Sequence, residues 1–267
     1  MGTIETSDII AYVEENISTF HDKRIEKLDK LKINSLLRRK NPYLFKAKNI
    51  MNSQELVKSL LDAYLSSREE TLFGDFLEGL ALFICGKVYD GTKSSATGVD
   101  LEFTKDGIRY LVSIKSGPNW GNSSQIKKMQ DNFKTAKKIL CTNSLKINVV
   151  AVNGCCYGID NIPDKGDYYK FCGQKFWSFI SGNENLYIDI IEPLGYLAHE
   201  KNELFEKSYT RILNKFTMKF SEEFCENGEI DWEKLVKFNS SFAQCLDNEE
   251  QLDEEPLEEE QLEEISK

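Results

Sequence analysis

Residues 98–123 read GVDLEFTKDGIRYLVSIKSGPNWGNS, and they carry the clearest structural pattern in the chain. At its centre, Asp106-Gly107 is a residue pair that favours a two-residue hairpin turn. The flanking segments, 99–105 and 108–116, carry apolar residues at alternate positions. The stretch therefore predicts a β-hairpin.

A tight turn also sets which residues face each other across the hairpin. With Lys105 paired to Ile108, we expect Asp100 directly opposite Ser113, with Cβ atoms about 4.5–5.5 Å apart. Lys115 follows two residues later on the same face of the strand. The opposite face is expected to collect apolar residues: Val99, Leu101, Phe103, Tyr110, Val112 and Ile114. A carboxylate, a hydroxyl and an ammonium group thus converge on one side of the predicted hairpin.

This polar face has a structural and a catalytic interpretation. Asp100 and Lys115 can form a cross-strand ion pair that contributes about 0.2–1 kcal/mol. Carboxylates beside a lysine also suit Mg²⁺-assisted hydrolysis of phosphodiesters, since Mg²⁺ binds hard oxygen ligands and usually takes one or two carboxylates. The metal lowers the pKa of a bound water, and a nearby lysine orients or helps to deprotonate that water. Flanking basic segments favour the catalytic interpretation.

A helix is predicted before the hairpin. Ser67 and Glu70 form a capping-box pattern that predicts a helix from there to about residue 85, separate from an amphipathic helix at 53–65. Glu78 lies off the apolar face of this helix. It is flanked by a stripe of small residues: Gly74, Ala81 and Cys85. Another element can approach Glu78 closely along that stripe, although an ordinary exposed glutamate is the simpler interpretation.

The remaining segments complete an α/β pattern. Apolar residues at helical spacing predict one long or two short helices at 7–33, and Asn41-Pro42 breaks the basic and aromatic segment 36–48. The other predicted elements, in chain order, are a helix from Asn122 or Ser123 to about 140, a buried strand at 146–157 parallel to the second hairpin strand, a loop at 163–183 that ends in a short helix carrying Trp177, a strand at 186–191 and a helix at 200–220. This order indicates a mixed sheet with flanking helices.

Charge is unevenly distributed along the chain. The formal net charge is −10, but residues 247–267 alone hold eleven acidic residues and one lysine, so the rest of the chain is neutral. Within that neutral part, residues 23–48 carry ten basic and two acidic residues, and residues 104–147 carry nine basic and two acidic ones. Basic patches of this kind fit a polyanionic partner, and they equally fit solvated helix faces.

Cysteine and histidine usage limits the kinds of site. Seven cysteines without CxxC spacing and two histidines disfavour zinc sites and disulfide frameworks, and reduced thiols fit the cytoplasm. No apolar run approaches the roughly 18 residues of a membrane span, and the N-terminus lacks a signal-peptide pattern. We therefore expect a cytoplasmic protein with no membrane partner.

The ordered series of a helix glutamate, a Gly-Val-Asp strand start and a paired strand bearing Ser-Ile-Lys resembles the PD-(D/E)xK nuclease superfamily. Asp100 matches the Asp of the motif, and Lys115 matches its Lys. The wider context GDFLEGLALFI, SSATGVDLEF and YLVSIKSGPNWGNSSQ looks like type II restriction endonucleases of that superfamily. The resemblance implies a restriction-endonuclease-like α/β fold, with a mixed central sheet flanked by helices and a helical N-terminal region.

One position departs from the motif. The usual second acid, two residues before the lysine, is Ser113 here. Superfamily members with this replacement recruit a carboxylate from a neighbouring element. The candidates for that carboxylate are Glu78, Glu70 and Glu102. We favour Glu78, because its flank of small residues suits close approach. By the resemblance, it would bind Mg²⁺ together with Asp100, while Lys115 would position the attacking water. Without a replacement acid, the site would hold metal weakly or be inactive.

The resemblance implies a homodimeric type II restriction endonuclease that cuts double-stranded DNA at a specific short sequence, because two active sites match the two-fold symmetry of a palindrome. A cognate DNA methyltransferase is the expected partner in the same system. Candidate DNA contacts are Arg38, Arg39, Lys40, Asn119, Trp120, Gln125, Lys127 and Lys128. The alternatives are a structure-specific repair or junction nuclease and a non-catalytic DNA-binding module with a degenerate site.

Composition and element order predict four regions. They are a helical N-terminal region at 1–60 that contacts DNA or a second subunit, a catalytic domain at 61–220, a C-terminal helical extension at 221–246 and an acidic, disordered tail at 247–267. The tail is either a solubilising extension or a segment that folds over the basic patches and competes with DNA.

Overall fold

The computed structural model of the chain describes residues 2–143 and 148–241. Its helices are α1 Thr6–Asp29, α2 Ile33–Arg38, α3 Pro42–Ala47, α4 Ser53–Tyr89, α5 Ser123–Asn143, α6 Gln174–Ser181, α7 Leu186–Asp189, α8 Ile191–Leu194, α9 Ala198–Phe224 and α10 Trp232–Ser240. Its strands are β1 Thr92–Lys93, β2 Leu101–Lys105, β3 Ile108–Lys115, β4 Asn148–Cys155, β5 Tyr169–Cys172, β6 Cys225–Glu226 and β7 Glu229–Ile230. None of the helices in this described part combines the length and hydropathy that a membrane span requires.

A five-stranded mixed sheet forms the centre of the fold, in the order β1-β2-β3-β4-β5. Strands β1, β2 and β3 are antiparallel neighbours, whereas β4 runs parallel to β3 and β5 runs parallel to β4. The predicted fold class is confirmed: a mixed sheet with flanking helices and a helical N-terminal region. The parallel strand after the hairpin is also confirmed, and α5 provides the crossover that parallel pairing needs.

The hairpin of β2 and β3 has the predicted turn and register. Lys105 pairs with Ile108, and the same register continues to Leu101. Asp106 and Gly107 have positive φ angles of 52° and 76°, as a type I′ turn requires at both central residues. Strand β2 begins two residues later, and β3 ends one residue earlier, than predicted.

Both faces of the hairpin are buried, whereas we expected one apolar and one polar face. The larger core, shared with α1, α4 and α6, receives Leu101, Phe103, Val112 and Ile114. The other face packs on α5 through Leu111, Met129 and Phe133. Val99 belongs to this second cluster, so its predicted place on the face of Leu101 is wrong. Val99 precedes β2, and the alternation of a strand does not extend to it.

Helix α4 is continuous over 37 residues, so the predicted break before Ser67 is wrong. Ser67 lies within the helix, where its carbonyl accepts the hydroxyl of Thr71 at 3.2 Å. Buried residues continue on both sides of it, with Leu61 and Leu65 before and Phe76 after. A Ser-x-x-Glu pattern is compatible with a helix interior, and here the helical apolar period outweighs the capping pattern.

The segment predicted as a strand at 186–191 forms the two short helices α7 and α8, so that prediction is wrong. Leu186 and Ile190, four residues apart, are buried, whereas Ile188 between them is 50 % exposed. This is the burial period of a helical turn. A short apolar run cannot distinguish the two structures from sequence alone.

Strand β5 lies within 163–183, where we expected a loop before a short helix. It forms the edge of the sheet and places Cys172 opposite Cys155 of β4. The short helix is present as α6 and carries the buried Trp177. The long helix predicted at 200–220 is confirmed as α9, with wider bounds.

Helices α2 and α3 are separated at the break predicted at Asn41-Pro42. Helix α1 ends at Asp29, and α2 begins a few residues later. At Asn41-Pro42, the Asn41 side chain accepts the backbone N–H of Tyr43 at 3.0 Å, and Pro42 occupies the first turn of α3. Proline suits this position because it needs no N–H donor there.

The described residues form two compact units. The first comprises residues 2–20 and Leu72–Ala198, and the second comprises His21–Thr71 and residues 199–241. The first unit contains the sheet. The second has its own apolar core, which includes Leu28, Leu60 and Phe220. The domain boundaries expected from the sequence stay a prediction, and the acidic tail lies outside the described residues.

Candidate active site

Asp100 directly precedes β2 and is anchored to β3 by its backbone and by its side chain. Its N–H donates to the Val112 carbonyl at 2.8 Å. Its Oδ2 accepts the Ile114 N–H at 2.6 Å and the Ser113 hydroxyl at 3.4 Å. Ser113 is 3 % exposed, and its buried hydroxyl helps to hold the carboxylate in place through this hydrogen bond. The structure brings Asp100 and Ser113 together, as the hairpin register predicts.

Gly98 makes the entry into Asp100 possible. Its φ is +70°, and a Cβ at this position would lie 2.1 Å from Nδ2 of Asn132 on α5. Both the positive φ and the close approach select glycine. The glycine of the Gly-Val-Asp start is therefore required by the backbone geometry at Gly98.

Glu78 of α4 lies close enough to Asp100 for their charges to interact. Burial raises the pKa of Glu78, and the negative charge of Asp100 raises it further. The Nζ atom of Lys93 lies 3.6 Å from the carboxylate and acts in the opposite direction. Ala81 and Cys85, two small residues on the same helix, are fully buried in the core.

The pair of carboxyl groups fits a divalent cation. The charge of Asp100 disfavours ionisation of Glu78, and a cation between the two carboxyl groups would remove that penalty. Among the residues that the structure describes, no group of three or more His, Cys, Asp and Glu side chains is arranged to hold a metal. A site here would therefore rest on Asp100 and Glu78, and two carboxylates are the number that Mg²⁺ usually takes from a protein.

Lys115 ends β3, two residues beyond Ser113. Its Nζ lies 4.9 Å from the centre of the Trp120 ring, and the face of an indole attracts an ammonium group. Trp120 belongs to the loop between β3 and α5. Its indole N–H donates to Oδ1 of Asn153 at 3.0 Å. The loop after the hairpin thus returns to the sheet beside the lysine.

Asn153 was not predicted as part of this region. It is 1 % exposed on β4, directly beside Ser113 of β3. Its Nδ2 donates to the Ser113 carbonyl at 3.3 Å. A signal was present in the sequence, because one amide interrupts the apolar strand VVAVNGCC. A polar side chain in a buried strand requires hydrogen-bond partners.

Two other acids were candidates for the second carboxylate. Glu102 lies on β2, where its Oε2 pairs with Arg109 at 2.7 Å and its Oε1 accepts the Ser94 hydroxyl. Its charge is therefore balanced within the hairpin. Glu70 is exposed and belongs to the second unit. Of the three acids, Glu78 has the environment that differs most from that of an ordinary surface glutamate.

Gln125 has a structural partner at the start of α5. Its side chain accepts the Asn122 N–H at 2.8 Å, and its own N–H donates to the Asn122 side chain at 3.0 Å. This reciprocal pair is a capping box, with Asn122 as the N-cap residue. The structure therefore assigns the Gln125 side chain to the helix start.

The other candidate DNA contacts lie in two places. Asn119, in the loop before α5, and Lys127 and Lys128, on α5, are exposed in the first unit. The second unit contains Arg38, Arg39 and Lys40, and the guanidinium of Arg38 lies 5.1 Å from the centre of the Phe238 ring. Exposed cations such as Lys127, Lys128 and Arg38 are available to phosphate groups.

Comparison with protein families gives one finding over most of the chain. The family model of the type II restriction endonuclease EcoO109I matches residues 7–202. The matched residues include α4, the hairpin, β4 and the side chains around Asp100. The comparison with curated proteins gives no significant match.

Proposed function

Because the chain belongs to the type II restriction endonuclease EcoO109I family, we propose that it hydrolyses phosphodiester bonds of double-stranded DNA at a specific short sequence and that it requires Mg²⁺. The observation that carries this proposal is the pairing of Asp100 with the partly buried Glu78. A carboxyl group whose ionisation is disfavoured by burial and by a neighbouring acid is poor for stability and good for binding a cation.

Asp100 and Glu78 are the residues that would hold the metal. Bound Mg²⁺ lowers the pKa of a water molecule and balances the charge that develops on the phosphate. The protein fixes the Asp100 carboxylate through the Ile114 N–H and the Ser113 hydroxyl. Partial burial keeps Glu78 poorly hydrated, so that little solvation is lost when a cation is bound.

Lys115 is proposed to orient the attacking water and to attract the phosphate that is cut. The lysine lies on the same strand face as Ser113, about 6.6 Å further along the strand. The Trp120 ring beside its ammonium group limits where that group can lie. A positioned lysine next to an acidic pair is the arrangement that general base and electrostatic catalysis require.

DNA binding is proposed to use exposed residues of the first unit, with the amide of Asn119 and the ammonium groups of Lys127 and Lys128 as phosphate contacts. Arg38, Arg39 and Lys40 are further candidates. A homodimer would supply two active sites for the two strands of a palindrome. Sedimentation equilibrium tests this directly, since a dimer has twice the 30.7 kDa mass of the chain. A methyltransferase that modifies the same sequence is the proposed cellular partner.

The proposal is tested by incubating the purified protein with plasmid DNA of known sequence in Mg²⁺ buffer and mapping the cut ends. We expect discrete fragments with one common end sequence, and no cleavage with EDTA. Asp100→Asn should reduce the rate about 10³-fold, since several kcal/mol of charge stabilisation is lost. Asp106→Asn, in the exposed hairpin turn, is the matched control.

Three outcomes would contradict parts of the proposal. Cleavage of branched DNA in preference to any duplex sequence would favour a repair or junction nuclease. Binding of DNA without nicking, in any divalent metal, would favour a non-catalytic module. An Asp100→Asn variant that cuts as fast as Asp106→Asn would remove Asp100 from the catalytic machinery.

A further inference from the structure

Asn153 is the least exposed of the buried polar side chains among the described residues, at 1 %. It stands in the centre of the sheet, where β4 runs parallel to β3 and Asn153 lies beside Ser113. A buried amide is unfavourable unless its donors and acceptor are used. Its contacts therefore indicate why an amide, rather than an apolar side chain, occupies this position.

The amide of Asn153 joins the sheet to the loop after β3. Its Nδ2 donates to the Ser113 carbonyl at 3.3 Å, and its Oδ1 accepts the Trp120 indole N–H at 3.0 Å. The thiol of Cys155 also points to Oδ1, at 3.8 Å. Both ends of the amide are thus engaged, and the indole ring is fixed relative to the strand that bears Ser113.

The fixed indole ring is the surface on which the Lys115 ammonium lies, 4.9 Å from the ring centre. A lysine side chain has four rotatable carbon bonds and loses much conformational freedom when it is held in one place. A ring whose own orientation is locked by a hydrogen bond restricts those conformers. Asn153 therefore influences the lysine without contacting it.

We propose that Asn153 is a positioning residue for Lys115, which it acts on by holding the Trp120 ring. This inference rests on the proposed nuclease function, in which Lys115 orients the attacking water. Asn153 of β4 is thereby added to the proposed active site, which otherwise consists of Asp100, Glu78 and Lys115.

Steady-state cleavage by Asn153→Ala tests the inference. Loss of the Asn153 amide should displace the Lys115 ammonium group by up to about 1 Å. A displacement of this size should lower kcat about 10–100-fold. The KM for DNA should stay within about twofold of the wild type, because no group that binds DNA is removed. Asn183→Ala is the matched control: this half-buried amide binds Asp189 at 3.2 Å, near α7, and we expect wild-type kinetics.

Trp120→Phe provides a second route to the same contact. Phenylalanine keeps a ring but cannot donate to Asn153, so we expect the same loss of kcat in a variant with little risk to folding. The double variant Trp120→Phe/Asn153→Ala should be no slower than the slower single variant, since both changes break the same hydrogen bond between Trp120 and Asn153. Additive losses would contradict action through Trp120.

The indole N–H signals of ¹⁵N-labelled protein give a readout without DNA. Asn153→Ala should move the Trp120 signal, identified by its loss in Trp120→Phe, to lower frequency as its hydrogen bond is lost. Trp177 is the internal control, because its indole donates to the Cys156 carbonyl at 2.7 Å. An unmoved Trp120 signal would overturn the inference.

The failures of the two proposals are distinguishable. An active wild type with an equally active Asn153→Ala would overturn the positioning role and leave the nuclease function intact. A wild type that cuts no DNA in any divalent metal would overturn the proposed function, and the positioning role with it.

Discussion

Two acids at neighbouring positions of the same hairpin have opposite environments. Glu102 is neutralised by the guanidinium of Arg109, 2.7 Å away. Asp100, two residues earlier, is held by an N–H and a hydroxyl from β3, and the charge of Glu78 lies near it. The balance of neighbouring charge thus distinguishes Glu102, which is paired within the hairpin, from Asp100, the proposed metal ligand.

The largest expected effect is a difference in the rate of DNA cleavage between two variants, each of which neutralises one acid. Glu78→Gln should reduce DNA cleavage about 10³-fold, because it removes one of the two proposed metal ligands. Glu102→Gln should retain the wild-type rate, since its carboxylate already has its partners within the hairpin. Single-turnover rates on one plasmid measure both. Equal losses in the two variants would show that Glu102 also serves the metal.

Metal-dependent stability sharpens the same contrast. At ten times its Kd, Mg²⁺ should add about 1.4 kcal/mol to the free energy of unfolding of the wild type and of Glu102→Gln. Glu78→Gln should gain much less, because one ligand is absent. Urea denaturation with Mg²⁺ and with EDTA provides the measurement. A gain of the same size in Glu78→Gln would place the cation elsewhere.

Loss of the hairpin ion pair should have a smaller effect. Glu102→Gln removes the charge partner of a half-buried Arg109 and should cost about 0.2–1 kcal/mol of stability. The variant should be measured in EDTA, where no metal contributes. If Glu102→Gln is as stable as the wild type, the ion pair with Arg109 contributes nothing to the free energy of unfolding. The environments of Glu102 and Asp100 would then differ less than proposed.

The smallest expected effect is a dependence on pH. Glu78 has a raised pKa in the folded protein, so the folded state binds the proton more tightly than the unfolded state. In EDTA, Glu78 should therefore destabilise the protein as the pH rises above the ordinary pKa of 4.5. Glu78→Gln lacks this dependence, so the wild type should lose stability relative to the variant from acidic to neutral pH. A difference that grows in the opposite direction would contradict a raised pKa.

The hairpin could be predicted because its signals are local. Asp106-Gly107 fixes the turn, and the alternating apolar residues fix the register that sets Asp100 against Ser113. Glu78 could be placed near this site because small residues flank it on α4. Its role still depends on the pairing of α4 with the hairpin, which no local pattern encodes.

The missed features depend on distant contacts. Asn153 contacts residues 33 and 40 positions away in the chain, so its amide has no explanation until β4 pairs with β3. The apolar run from Leu186 matches a strand or a helix equally well, and packing of Leu186 and Ile190 decides it. The capping-box pattern at Ser67 is likewise outweighed by packing along α4.

The parallel pairing of β3 with β4 also governs the order in which the site forms during synthesis. A hairpin closes within about 1–10 μs once both of its strands are free. Asn153, which holds the Trp120 ring, is 38 residues later than Lys115, and at about 5–20 residues per second it is added about 2–8 s afterwards. We therefore expect the contacts between Asp100 and β3 to be possible before β4 is synthesised, and the contact between Asn153 and Trp120 only afterwards.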